Sequence, residues 1–210
     1  MKFMFNSSKC MCAMHVILEF FNYMDVRAAR EHVEIMLECA TAHHFYKKRA
    51  PWSIYYFGIQ LKKLLPACFV LADSCGNERG FVRELNEAGC PDLLRCEDYI
   101  MSSHVKDIWN FIPRHLSAKQ YRNPVKILQK VKQYRRPDEW EDMVNEFIEF
   151  SLSNSAMMDE DINARVIRVQ KILLQCIEAC YLMAVRYRFY IKQDELSRKT
   201  PQDPIVSLQE

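Results

Sequence analysis

Eight basic side chains and no acidic one lie between Arg114 and Arg136: Arg114, Lys119, Arg122, Lys126, Lys130, Lys132, Arg135 and Arg136. Nine acidic side chains and no basic one follow between Asp138 and Asp161, with Pro137 as the pivot. Cations at this density offer contacts to phosphate or carboxylate groups, and the interleaved Tyr121 and Tyr134 would add stacking surfaces. The alternative is internal. An acidic helix of nearly equal charge, next in the chain, can satisfy a basic one through surface ion pairs, each contributing about 1 kcal/mol or less. The overall charge is only +2, well short of the basic balance that accompanies dedicated nucleic-acid binding, so the expected partner is a protein or a nucleic acid.

Carboxylates form the second group. Glu31, Glu34 and Glu38 on one segment, and Asp138, Glu141, Asp142 and Glu146 on another, have the ExxE and ExxD spacing that places acids on one helix face. Paired across two helices, they would hold Mg²⁺. In that spacing they resemble the acidic helices of all-α nucleotide pyrophosphohydrolases of the MazG type, and the resemblance implies hydrolysis of a nucleotide pyrophosphate. The same pattern opposite an apolar stripe is what any amphipathic helix shows.

Histidines are the third. Arg27 and His32 fit the loose R-x4-6-H pattern and in this resemble HEPN-type ribonucleases, which are also helical bundles. His32 and His43 are eleven residues apart, about 16 Å along a helix, too far to share a metal. The chain has no glycine-rich phosphate loop, nucleophile elbow or zinc-protease helix. No catalytic residue, metal ligand or cofactor is therefore expected.

Nine cysteines at 10, 12, 39, 68, 75, 90, 96, 176 and 180 form an odd set scattered through helical patterns, so a complete disulfide framework is impossible and a reducing cytoplasm is the expected setting. Cys10-Met-Cys12 is tighter than zinc-knuckle spacing. Cys176 and Cys180 lie one turn apart on an apolar stripe, which reads as core packing.

The elements that must position these groups are helices. Only four glycines, with eight prolines placed singly, leave little material for hairpin turns, and apolar residues recur at three and four. The expectation is an all-α, single-domain bundle of six to eight helices over residues 1–199, with a flexible tail at 200–210. His15 and Glu19 interrupt the N-terminal apolar run, which reads as the first core helix rather than a signal peptide. No run of about 20 uninterrupted apolar residues is present, so no membrane span is expected.

From Asp25 a helix puts Val26, Ala29, Val33, Met36, Leu37 and Ala40 inward and Arg27, Arg30, Glu31, Glu34 and Glu38 outward, with Lys47-Lys48-Arg49 as a basic end. Residues 52–73 are apolar nearly all round, hence central, with Pro66 kinking or splitting them. Ser74-Cys75-Gly76-Asn77 reads as a loop, with a short helix from Asn77 to Gly89 and another from Pro91 to Pro113.

Asn123-Pro124 should open the basic helix with Ile127, Leu128, Val131 and Tyr134 inward. The acidic helix after Pro137 shows Trp140, Met143, Val144, Phe147 and Ile148. The last helix, from about Glu160 to Gln193, carries Ile162, Val166, Val169, Leu173, Cys176, Cys180, Met183, Tyr187 and Ile191 as the spine. The function expected is an interaction or regulatory module using the basic face 114–136 and the acidic face 138–161, self-association included. The alternative is one of the two enzyme types.

Overall fold

A computed structural model describes residues 8–41, 51–77, 108–153 and 160–199. Among them the regular elements are all helical: α1 (Ser8–Tyr23), α2 (Val26–Thr41), α3 (Pro51–Asn77), a 3-10 turn at Ile108–Phe111, α4 (Ala118–Arg122), α5 (Val125–Tyr134), α6 (Pro137–Leu152) and α7 (Glu160–Lys199). The chain is an all-α, single-domain bundle.

Local chemistry sets the ends. The Asp25 carboxylate accepts the Ala28 N–H at 2.7 Å and starts α2. Ser117 and Gln120 cap α4 reciprocally, the Ser117 N–H donating to Oε1 at 2.8 Å and the Gln120 N–H to Oγ at 3.4 Å. Pro137 opens α6, where Asp138 and Glu139 meet the positive end of the helix and Glu139 accepts the Arg136 N–H at 2.8 Å.

Two helices are central. α3 packs against α1, α5 and α6, and α7 against α1, α2 and α5. α2 also lies along α6, where the Ser151 hydroxyl reaches Met36 O at 2.7 Å. Every residue of α7 from Ile172 to Tyr187 is buried, so this is a spine covered on all sides. At about 1.5 Å per residue its 40 residues span roughly 60 Å, longer than the sequence suggested.

Pro66 sits inside α3 without splitting it, with its ring on the exposed side. Gly58 allows the close approach of α3 and α6, since a Cβ there would overlap Ile148 Cδ1 and lie 2.6 Å from its Cγ1. By length and composition Pro51–Asp73 is apolar enough to cross a membrane, and 56% of that window is covered by the rest of the fold.

Several expectations are corrected. The segment 74–77 is the last turn of α3, because Gly and Asn are tolerated where a helix is about to stop. Ile108–Phe111 is a 3-10 turn rather than the end of an α-helix, and the rest of the two helices expected over 77–107 lies outside the described residues. The basic helix opens at Asn123-Pro124 as expected, so the stretch 114–136 is not one helix: Lys119 and Arg122 stand on α4, and Arg114 precedes it. Ile191 is 38% exposed, since only the middle of α7 is surrounded. His43, His44, the basic run 47–49 and the tail 200–210 also lie outside the described residues.

Candidate functional site

The segment from Ile108 to Asn123 carries three of the eight predicted cations on irregular backbone and one short helix. Such a segment has main-chain donors and acceptors that no long helix satisfies, and buried ones must find partners. α7 supplies them with a polar stripe, Gln175, Glu178 and Arg186, at 4%, 0% and 0% exposure. Registers i, i+3 and i+11 share one face.

Glu178 is the centre. Its Oε1 accepts the Arg114 N–H at 2.8 Å and Arg30 Nη1 at 2.7 Å, and lies 2.9 Å from His115 Nδ1; its Oε2 accepts the His115 N–H at 2.6 Å. Burial alone would raise its pKa, but the bonds from His115, the Arg114 N–H and Arg30 outweigh it and hold the carboxyl below the usual carboxylate range. Arg30 also donates to Ile112 O at 3.1 Å and to Asn110 O.

The expectation that Arg30 faces solvent is therefore wrong. It is 6% exposed because the long side chain reaches a buried carboxylate and two orphan carbonyls. Gln175 donates to His115 O at 3.1 Å, and Arg186 donates to Tyr121 O at 2.6 Å with its guanidinium 5.6 Å from the Tyr121 ring centroid. A carboxylate that orients an imidazole is half of a general-base site. His115 makes no hydrogen bond to any other described titratable side chain, however, and Glu178 is already shared with Arg30 and two backbone amides. The cluster is a clamp that fixes residues 110–122 onto the spine.

The predicted cations fall into two sets. Lys119, Arg122 and Lys126 are exposed on α4 and α5 and form no ion pair with a described residue. The other five are engaged. Arg114 donates to Asn110 Oδ1 at 2.9 Å, Lys130 to Gln175 Oε1 at 3.1 Å, and Lys132 pairs with Asp73 of α3. Arg135 lies over the Tyr134 ring, and Arg136 pairs with Asp138 at 3.0 Å and Glu139 at 3.7 Å. The stacking tyrosines are lost: Tyr121 is 3% exposed, and Tyr134 is half-buried beside Trp140 with Arg135 and Arg168 over its ring. Both rings were needed as apolar filler.

α5 and α6 do not neutralise each other. Each lies on α3, they touch little beyond their corner, and among the described residues the ion pairs from the basic to the acidic stretch are those of Arg136. The corner itself is fixed by Trp140, fully buried, whose Nε1 donates to Val131 O at 3.1 Å at the end of α5.

The geometry the enzyme readings require is only half present. α2 does lie beside α6, but Glu34 and Glu38 are exposed, as are Asp138, Glu141, Asp142 and Glu146, and no three carboxylates gather ligand atoms among the described residues. Arg27 is exposed while His32 is buried, its Nδ1 2.7 Å from Ala28 O and its ring 5.3 Å from that of Phe57. They do not converge. A cleft of about 200 Å³ between α6 and α7, rimmed by Arg135, Glu139, Asp142, Glu146 and Arg165, is smaller than the ~300–1,000 Å³ of small-molecule sites.

One cluster was unforeseen. Cys68 of α3 meets Cys176 and Cys180 of α7, with Sγ–Sγ distances of 3.6 and 3.3 Å and all three residues fully buried. Compared with protein-family models, curated proteins and solved structures, the chain matches none of them.

Proposed function

We propose that the chain is an interaction module whose basic surface, Lys119, Arg122 and Lys126, docks the acidic surface of a protein partner. The observation that carries this reading is the failure of neighbouring opposite charges to cancel: the acidic face is next in sequence, yet these three cations form no ion pair with a described residue. Lys119 and Arg122 stand on the segment that Glu178 and Arg186 hold to the spine, and Lys126 stands on α5, which packs on α3 and α7. A protein is favoured over a nucleic acid because the tyrosines that would stack on bases are covered and five of the eight cations at 114–136 are engaged within the fold.

The test is a pull-down from the native cell with wild type and a Lys119→Glu, Arg122→Glu, Lys126→Glu variant, read by mass spectrometry and nucleic-acid sequencing at two salt concentrations. The variant should lose an acidic protein partner while keeping its stability, because no described ion pair is broken. Retention of the same partners by the variant refutes the proposal. Recovery of nucleic acid instead, with affinity falling by about 0.9 log units per log unit of salt for each phosphate contact, assigns the surface to a polyanion.

A further inference from the structure

Three thiols from two helices, separated by more than a hundred residues in sequence, converge in the centre of the core. Cys176 and Cys180 present their sulfurs from successive turns of α7, and Cys68 faces them from α3, all three sulfurs lying within 4.8 Å of one another. Cys176 and Cys180 are neighbours by helix register, but Cys68 reaches them from another helix, and three sulfurs at this spacing match the ligand set of a thiophilic metal ion. With metal–sulfur bonds of about 2.3 Å, tetrahedral ligands stand roughly 3.8 Å apart and trigonal ones about 4.0 Å. The observed 3.3 and 3.6 Å need only small side-chain rotations to match.

We propose that Cys68, Cys176 and Cys180 form a three-sulfur site for one thiophilic d10 cation, Cu(I) or Zn(II). Soft thiolates select these ions over oxygen-seeking cations such as Mg²⁺ and Ca²⁺. Among the described residues no fourth His, Cys, Asp or Glu joins the trio, which suits three-coordinate Cu(I) directly. Zn(II) would need a fourth donor. Each sulfur that ligates as thiolate releases one proton, and the bound cation offsets part of the charge that an apolar core would otherwise reject, a sulfur that stays a thiol adding none. The site is independent of the basic surface.

The full chain is unfolded under thiol-reducing, anaerobic conditions and refolded with Zn²⁺, with Cu(I), or with neither, and then desalted and assayed for metal. One arm should give about one ion per chain and a melting temperature raised by several degrees over the metal-free sample, because the assembled three-sulfur site binds the ion more tightly than the unfolded chain does. The arm that loads identifies the metal. Cys68→Ala and Cys176→Ala should lose the ion, whereas Cys10→Ala, a buried cysteine of α1 outside the trio, should keep it. If neither metal loads stoichiometrically, if Cys68→Ala and Cys176→Ala still load, or if thiol trapping shows a Cys68–Cys180 disulfide in native protein, the proposal is overturned. Wild-type stoichiometry and the melting shift decide the matter even where a variant fails to fold.

Discussion

Two faces of α7 are equally buried and chemically opposite. One carries Gln175, Glu178 and Arg186; the other carries Leu173, Cys176 and Cys180, which share a face at i, i+3 and i+7. The first looks onto irregular backbone at 110–122, the second onto α3. A regular helix has satisfied its own amides and asks its neighbour only for shape, while a loop brings unsatisfied amides and carbonyls and must be answered with hydrogen bonds. The buried charges thus follow from the backbone they face rather than from any shortage of apolar residues.

The largest test of that contrast is Glu178→Ala. It strands the Arg30 guanidinium and two backbone amides, and should cost about 3–5 kcal/mol in urea denaturation. Adding Arg30→Met should recover part of the loss, since removing both charges is less damaging than removing one. A purely apolar account of this face predicts no recovery.

The pH dependence has a definite sign. Because the folded pKa of Glu178 is depressed, its contribution is complete above the unfolded value near pH 4.3 and is lost as pH falls through the lower folded value. Glu178→Gln should flatten the acid limb of the stability curve below about pH 5. An unchanged slope there would mean that the carboxylate is not what holds the segment.

On the other face, Leu173→Ala should cost about 2–5 kcal/mol through cavity formation, with no pH dependence and no second-site rescue from Arg30→Met. The smallest effect belongs to Gln175→Leu, which removes single bonds to His115 O and Lys130 and should cost about 1 kcal/mol. A loss as large as that of Glu178→Ala would show that the polar face acts as one network rather than around one centre.

The elements themselves were largely legible. The apolar positions of α2 and α6 proposed from spacing are all buried, and α7 was recognised as the spine, because each of these helices shows a long unbroken stripe. The partners of those helices were not legible. Arg30 obeys the rule that arginine faces solvent in every local respect, and only the distant Glu178 reverses it. A signal did exist, since Glu178 and Arg186 stand inside an otherwise apolar run, where a charge without a partner would be very costly. Cys68 gave none, because its meeting with Cys176 and Cys180 depends on how α3 and α7 cross.

Trp140 at the corner of α5 and α6 has one remaining consequence. By bonding Val131 O and filling the angle between the helices, it makes the direction from the basic face to the acidic face a property of the core rather than of a hinge. A partner that reads both faces would meet them preorganised, and would not forfeit the affinity that ordering a mobile corner consumes on association.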